Sequence, residues 1–191
     1  MTTADQPHLT ETGLDSELVF SGKLLRVRRD RVRLPNGTEA TREYVVHPGA
    51  SLVIPVLDDG TLVLERQFRY PVRRVMLEFP AGKIDPGETS LATAERELVE
   101  EVGYRAGSIQ RIGTIHPQIG YSTEFIDVFV ATDMTFVGAQ LDAGEFLDVV
   151  TMSESELLSA FDREELTDGK SIAALFMWLR RRPTDAVRPS R

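Results

Sequence analysis

The chain has no cysteine and a single tryptophan among its 191 residues. Without cysteine there can be no disulfide, no thiol nucleophile and no cysteine-based zinc site. No apolar run approaches the roughly 20 residues of a membrane-spanning helix. The opening segment MTTADQPHLTETGLDSE lacks both the basic start and the apolar centre of a signal peptide. A soluble, cytoplasmic protein with no membrane partner is expected. Positive charge is scarce too. A formal net charge of −8 argues against nonspecific nucleic-acid binding, and an acidic protein acting on an anionic substrate needs local cations to cancel the repulsion. What is present, 41% apolar and 27% charged residues, is ordinary for a globular protein, and the length suits one catalytic domain with a good core.

Lysine is missing where it would be most useful. The run from Ser90 to Val102 predicts a helix, with Thr89 or Ser90 as its start signal and Gly103 as its stop. At 3.6 residues per turn, Glu97, Glu100 and Glu101 share one face and Leu91, Ala94, Leu98 and Val102 the adjacent one. Like charges at this spacing destabilise a helix by roughly 0.2–0.5 kcal/mol per pair. The residues leave two readings open, a solvated acidic face or a site for a divalent cation. A solvated face usually interleaves basic residues, and this one has only Arg96, about a quarter turn off the arc. Hard cations such as magnesium or manganese take carboxylate oxygens and keep several waters.

Elsewhere, residues 1–15 are polar and expected to be loose, and Pro35-Asn36-Gly37 marks a turn between two strand-like stretches in the region 16–47, predicting a small antiparallel sheet. ASLVIPVL and TLVLERQF flank Asp58-Asp59-Gly60 and predict a hairpin. VMLEFP leads into the loop before the acidic helix, and SIQRIGTI, EFIDVFVA and DVVTM are further strands. Two helices follow, the second with Ile172, Leu175, Phe176 and Leu179 on one face. The main domain is expected over 48–182 and a frayed tail over 183–191. Strands around one central helix, with helices at the end, make a mixed α/β pattern.

Gly82, Glu88, Arg96, Glu97, Leu98, Glu100, Glu101 and Gly103 stand in the register G-x5-E-x7-R-E-U-x-E-E-x-G-U, where U is aliphatic. This resembles the Nudix box, and only Tyr104, at the last position, departs from it. The flanks MLEFPAGKIDPGE and GYSTEFIDVFVA extend the likeness, which is greatest to the ADP-ribose pyrophosphatase branch. The resemblance implies an α/β/α sandwich with a mixed sheet. It also implies a homodimer formed through the N-terminal strands, and metal-dependent hydrolysis of ADP-ribose to AMP and ribose 5-phosphate, with Mg2+ or Mn2+ as cofactor.

The resemblance further implies that Glu97, Glu101 and the Ala81 carbonyl are metal ligands, joined by Glu100. Gly82, Glu88 and Arg96 would support them, and Glu124, in the loop before a late strand, would activate the water. Arg69 and Glu78 match substrate-contacting positions. Phe68 and Tyr70 could stack on adenine, although aromatics in a strand are more often core, and His116 is given no role. Gln118-Ile119-Gly120 replaces the Ser-Pro-Gly of typical ADP-ribose pyrophosphatases, which keeps another nucleoside diphosphate sugar in view. A non-catalytic nucleotide sensor is the remaining alternative, although such domains tend to lose box glutamates and all are present here.

Overall fold

A computed structural model describes residues 6–141 and 143–181. The chain divides into two compact units. One holds the residues up to Pro48 with Gln118–Glu124, and the other holds Gly49–Pro117 and the residues from Phe125 onward.

The first unit is a three-stranded antiparallel sheet in the order β1 (Thr12–Ser21), β2 (Arg26–Arg33), β3 (Glu39–Val46). The segment 1–15 was expected to be loose, yet β1 begins at Thr12. Residues 12–15 pair with β2, and Asp15 meets Arg31 at 2.6 Å. Arg29–Glu43 adds another cross-strand pair at 2.9 Å. Such exposed pairs stabilise little, but they favour one register. Residues 1–5 and the expected tail 183–191 lie outside the described residues. The segment Gln118–Glu124 belongs here because the Val45 N–H donates to the Tyr121 carbonyl at 2.8 Å and the Thr123 N–H to the Val45 carbonyl at 3.0 Å. A division into consecutive stretches cannot express such a distant pairing.

In the second unit, β4 (Ala50–Pro55) lies inside a mixed sheet that also contains β7 (Ala81–Lys83), β8 (Tyr104–Ile115) and β9 (Ile126–Phe136), in the order β7-β4-β9-β8. β4 and β9 are parallel and the other pairs antiparallel. A second, antiparallel sheet runs β10 (Leu147–Met152), β5 (Leu62–Arg69), β6 (Arg74–Glu78). The expected hairpin between β4 and β5 does not form. The Asp58-Asp59-Gly60 turn is present, closed by the Leu57 N–H on the Thr61 carbonyl at 2.9 Å, but beyond the Val56–Leu62 bridge the strands part into different sheets. Leu52, Val53, Ile54, Leu62, Val63 and Leu64 are all fully buried. A strand apolar on both faces is suited to lie between two layers.

Those layers are helical. Val53 and Val63 pack with Ala94, Leu98 and Val102 of α1 (Ser90–Glu100) and the turn after it. Leu52, Ile54, Leu62 and Leu64 face the opposite way, onto Leu157 and Ala160 of α2 (Glu154–Asp162) and Ala174, Leu175 and Trp178 of α3 (Gly169–Arg181). This is the expected α/β/α arrangement. Of the expected face of α3, Leu175 is buried and Ile172 and Leu179 pack partly buried against this core, but Phe176 is 64% exposed, and Ser171, Ala174 and Trp178 complete the buried side. Ser171 is bonded on both sides: its hydroxyl accepts the Phe79 N–H at 2.9 Å and donates to Asp168 at 2.6 Å. Similarly, Leu91 on α1 is exposed and Thr93 is buried in its stead. Among the described residues, no helix is long and apolar enough to cross a membrane.

Candidate metal and active site

α1 starts where the sequence indicates. The Thr89 hydroxyl caps it, accepting the Ala92 N–H at 3.2 Å. At the other end Gly103 has φ +77°, and its carbonyl accepts the N–H groups of Val137 and Gly138 at 2.8 and 3.1 Å. A side chain there would collide with the Ala139 backbone at 2.6 Å. The aromatic Tyr104 that follows packs edge-on against Phe136, with ring centroids 5.2 Å apart.

The loop from β7 folds back across the helix face. Gly82 passes so close to Glu97 that an added Cβ would sit 1.7 Å from its carboxylate oxygen. One residue earlier, the Ala81 N–H donates to Glu101 Oε2 at 2.9 Å. A side chain at position 82 would therefore displace the Glu97 carboxylate, and Ala81 and Glu101 lie against each other.

Arg96 changes the electrostatic expectation. It was placed off the acidic arc, yet its guanidinium reaches Glu97 Oε1 at 2.7 Å and Glu100 Oε2 at 2.8 Å. It also holds both oxygens of Glu88 at 3.0 Å and touches the Lys83 carbonyl at 3.2 Å. The arginine side chain is long enough to span the quarter turn, so repulsion along the arc is partly relieved. With Thr93 adding a hydrogen bond at 2.8 Å, Arg96 brings the Glu88 carboxyl down to about 2. This fork-like pairing fixes a carboxylate in one pose. Glu97 is pushed up by burial, against the pull of Arg96.

Glu101 has no such partner. It is 5% exposed, and burial, followed by repulsion from Glu65 and Glu97, pushes it up to about 9. Glu65 is fully buried on β5 and is pushed up to about 7 by burial and by Glu78. Burial is the main cause in both, and the charges of Arg69 and Lys170 near Glu65 offset it only in part. The sequence did not single out Glu65, although an acid directly after the apolar Leu62-Val63-Leu64 was itself a signal.

Arg69 and Glu78 are brought together. The guanidinium donates to both carboxylate oxygens at 2.7 and 2.9 Å, and Lys170, itself 2.9 Å from Asp168, also bonds Glu78. Burial alone would raise Glu78, but the bonds and charges of Arg69 and Lys170 outweigh it and hold the carboxyl below its usual range. Lys170 and Asp168 were likewise missed, because their helix start lies some 90 residues from Glu78 in sequence. Phe68 and Tyr70 are exposed rather than core, and Arg73 lies over the Tyr70 ring at 3.6 Å. Glu124 belongs to the first unit, with its carboxylate 3.8 Å from His47 Nε2 and its N–H on the Ser122 hydroxyl. A separate cavity of about 990 Å3, bordered by Asp58, Gln110, Thr132, Ser153, Trp178 and Arg181, contains none of these glutamates.

Among the described residues, no three carboxylate or imidazole side chains are gathered closely enough to enclose a cation as they stand. The donor set nevertheless fits one: every candidate is an oxygen, Glu65 and Glu101 are buried acids, and neither oxygen of Glu65 has a hydrogen-bond partner among the described residues.

The NUDIX domain family matches residues 46–179. The chain is a Nudix protein. The motif around α1 is accordingly its Nudix box. A second family, the nucleoside diphosphate sugar hydrolase N-terminal domain, matches residues 11–45, which comprise most of the three-stranded sheet. The chain is 36% identical to an ADP-ribose pyrophosphatase of Bacillus subtilis (strain 168), with 87% of this chain and 91% of that one aligned. It is 34% identical to a methanol dehydrogenase activator of Bacillus methanolicus over 86% and 90% of the two chains. A crystal structure of an ADP compounds hydrolase superposes with a TM-score of 0.80 at 27% identity, covering 90% of this Nudix chain and 96% of that structure.

Proposed function

We propose that this Nudix protein is a divalent-cation-dependent pyrophosphatase that cleaves ADP-ribose to AMP and ribose 5-phosphate. The observation that carries the reading is the box itself: Glu101 against Ala81, Glu97 across Gly82, and Arg96 tying Glu88, Glu97 and Glu100 together. The similarity to an ADP-ribose pyrophosphatase over most of both chains supports the choice of substrate. Glu97, Glu101, Glu100 and the Ala81 carbonyl would hold Mg2+, or Mn2+ in its place. When bound, the cation supplies charge stabilisation at the diphosphate.

The remaining roles fall to side chains. Arg96 and Glu88 keep the ligand glutamates in fixed poses. Arg69, with 40% of its side chain exposed, offers its charge to the substrate while Glu78 fixes its orientation. Glu124 would take the proton of the attacking water on its carboxylate, as a general base. The cysteine-free composition suits a cytoplasmic enzyme.

A panel of ADP-ribose, NADH, diadenosine polyphosphates, GDP-mannose and nucleoside triphosphates, assayed with magnesium, tests the reading. ADP-ribose is expected to give the highest kcat/KM, with release of AMP. A triphosphate or dinucleoside polyphosphate as best substrate overturns it. Another nucleoside diphosphate sugar is the second reading, favoured by Gln118-Ile119-Gly120, whose Ile119 is 85% exposed. For the base, Glu124→Gln is expected to lower kcat by about 10²-fold or more with KM little changed. Near-normal turnover would move that role elsewhere.

A further inference from the structure

Strand β5 carries an acceptor-rich face beside the box. Side chains alternate along a strand, so Glu65 and Gln67 share the side of Val63, which packs with Ala94, Leu98 and Val102. Glu65 is opposite Glu78 of β6 and Val149 of β10. It is fully buried, and neither carboxylate oxygen has a hydrogen-bond partner among the described residues; the buried Oε1 of Gln67, two residues along, has none either. Three unpaired acceptors in one row are costly, because buried polar atoms are nearly always bonded.

The neighbouring donors are already engaged. Arg69 and Lys170 bond Glu78, Arg96 serves Glu88, Glu97 and Glu100, and the Ala81 N–H serves Glu101. Glu65 also lies near enough to Glu101 for their charges to repel. A row of buried acceptors with no donor, beside the carboxylates of the box, matches a ligand that brings both positive charge and O–H donors. A hydrated divalent cation does so, since magnesium keeps several of its waters when bound.

We infer that Glu65 and Gln67 are positioning residues of the metal site, accepting hydrogen bonds from the water shell of the cation held at Glu97 and Glu101. This rests on the cation site of the proposed function and extends it to a strand outside the box. β5 then forms a wall of the site and fixes the cation through its waters.

The test uses the full-length protein with Mn2+ as probe. Binding is measured by calorimetry without substrate, and melting temperature is read in chelator, for the parent, Glu65→Gln and Gln67→Met. Both variants are expected to bind Mn2+ about 10- to 100-fold more weakly, the usual effect of disturbing groups around a metal's ligands, with melting in chelator unchanged or raised. Parent-like Mn2+ affinity in both variants overturns the inference and leaves the cation site standing. Melting several degrees lower in chelator in both would make them packing residues, also overturning it. If Glu65→Gln does not fold, Gln67→Met decides alone. A parent that binds no Mn2+ removes the cation site of the proposed function and this inference with it.

Discussion

Glu101 combines burial, a backbone N–H bond and repulsion from three other acids, Glu65, Glu97 and Glu145. In the unfolded chain such a group titrates near 4.5, whereas in the folded protein it is pushed up to about 9 and its neighbour Glu65 to about 7. The folded state therefore holds more protons than the unfolded one over this window. The stability these groups contribute is fully present below about 4.5 and is lost as pH rises through about 7 and about 9. Interacting acids titrate as a pair, so the loss should appear as one broad decline. Glu101→Gln should flatten that decline in chelator, melting at neutral pH as high as the parent or slightly higher. Saturating magnesium should reverse the order, because a ligand that binds only the folded state stabilises it. Activity should fall by at least about 10²-fold, the upper end of what loss of a group outside the ligand set produces. Melting curves over pH, with and without metal, check all three outcomes.

At the scale of elements, α1 shows how a short helix can present acids without coming apart. Its stability comes from Ala94 and Leu98 packing on β4 and β9, from Arg96 across the acidic arc, and from its two ends. Thr89→Ala should cost about 1 kcal/mol, the usual loss for an N-cap hydroxyl, measured by denaturant unfolding in chelator. Because the cap is exposed and is not itself one of the proposed ligands, kcat/KM at saturating magnesium should be little altered. A large loss of activity would mean that the helix start also positions the Ala81–Glu88 loop. α3 shows a different constraint. Ser171 is bonded on both sides, to the Phe79 backbone and Asp168, and this polar anchor sits on the core side together with Leu175 of the apolar stripe.

For the molecule as a whole, the N-terminal sheet is the part least able to stand alone. Leu18 and Phe20 on β1 are 49% and 54% exposed, and β1 has no buried residue. A three-stranded sheet without a covered apolar face is at the margin of independent stability. Pairing with a second copy of the chain would cover it. Light scattering should give a dimer for the full chain and a monomer for a chain starting at Pro48. A monomeric full-length protein would rule the dimer out.

The sequence alone determined the local features. Turn residues at Pro35-Asn36-Gly37, the Thr89 cap, the Gly103 stop and the box spacing each act within a few residues, so they can be read without a fold. The mixed α/β class followed from the alternation of strands and helices. Tertiary structure decided whatever depends on distant chain segments. β4 and β5 separate into two sheets because both are buried on either side, which no turn signal reveals. Gln118–Glu124 joins the N-terminal sheet through backbone bonds to Val45. Lys170 reaches Glu78, and Glu65 approaches Glu101, only once strands and helices are stacked. The charges of the box were legible one by one; which of them would be paired, and which buried charges from other elements would join them, depended on packing.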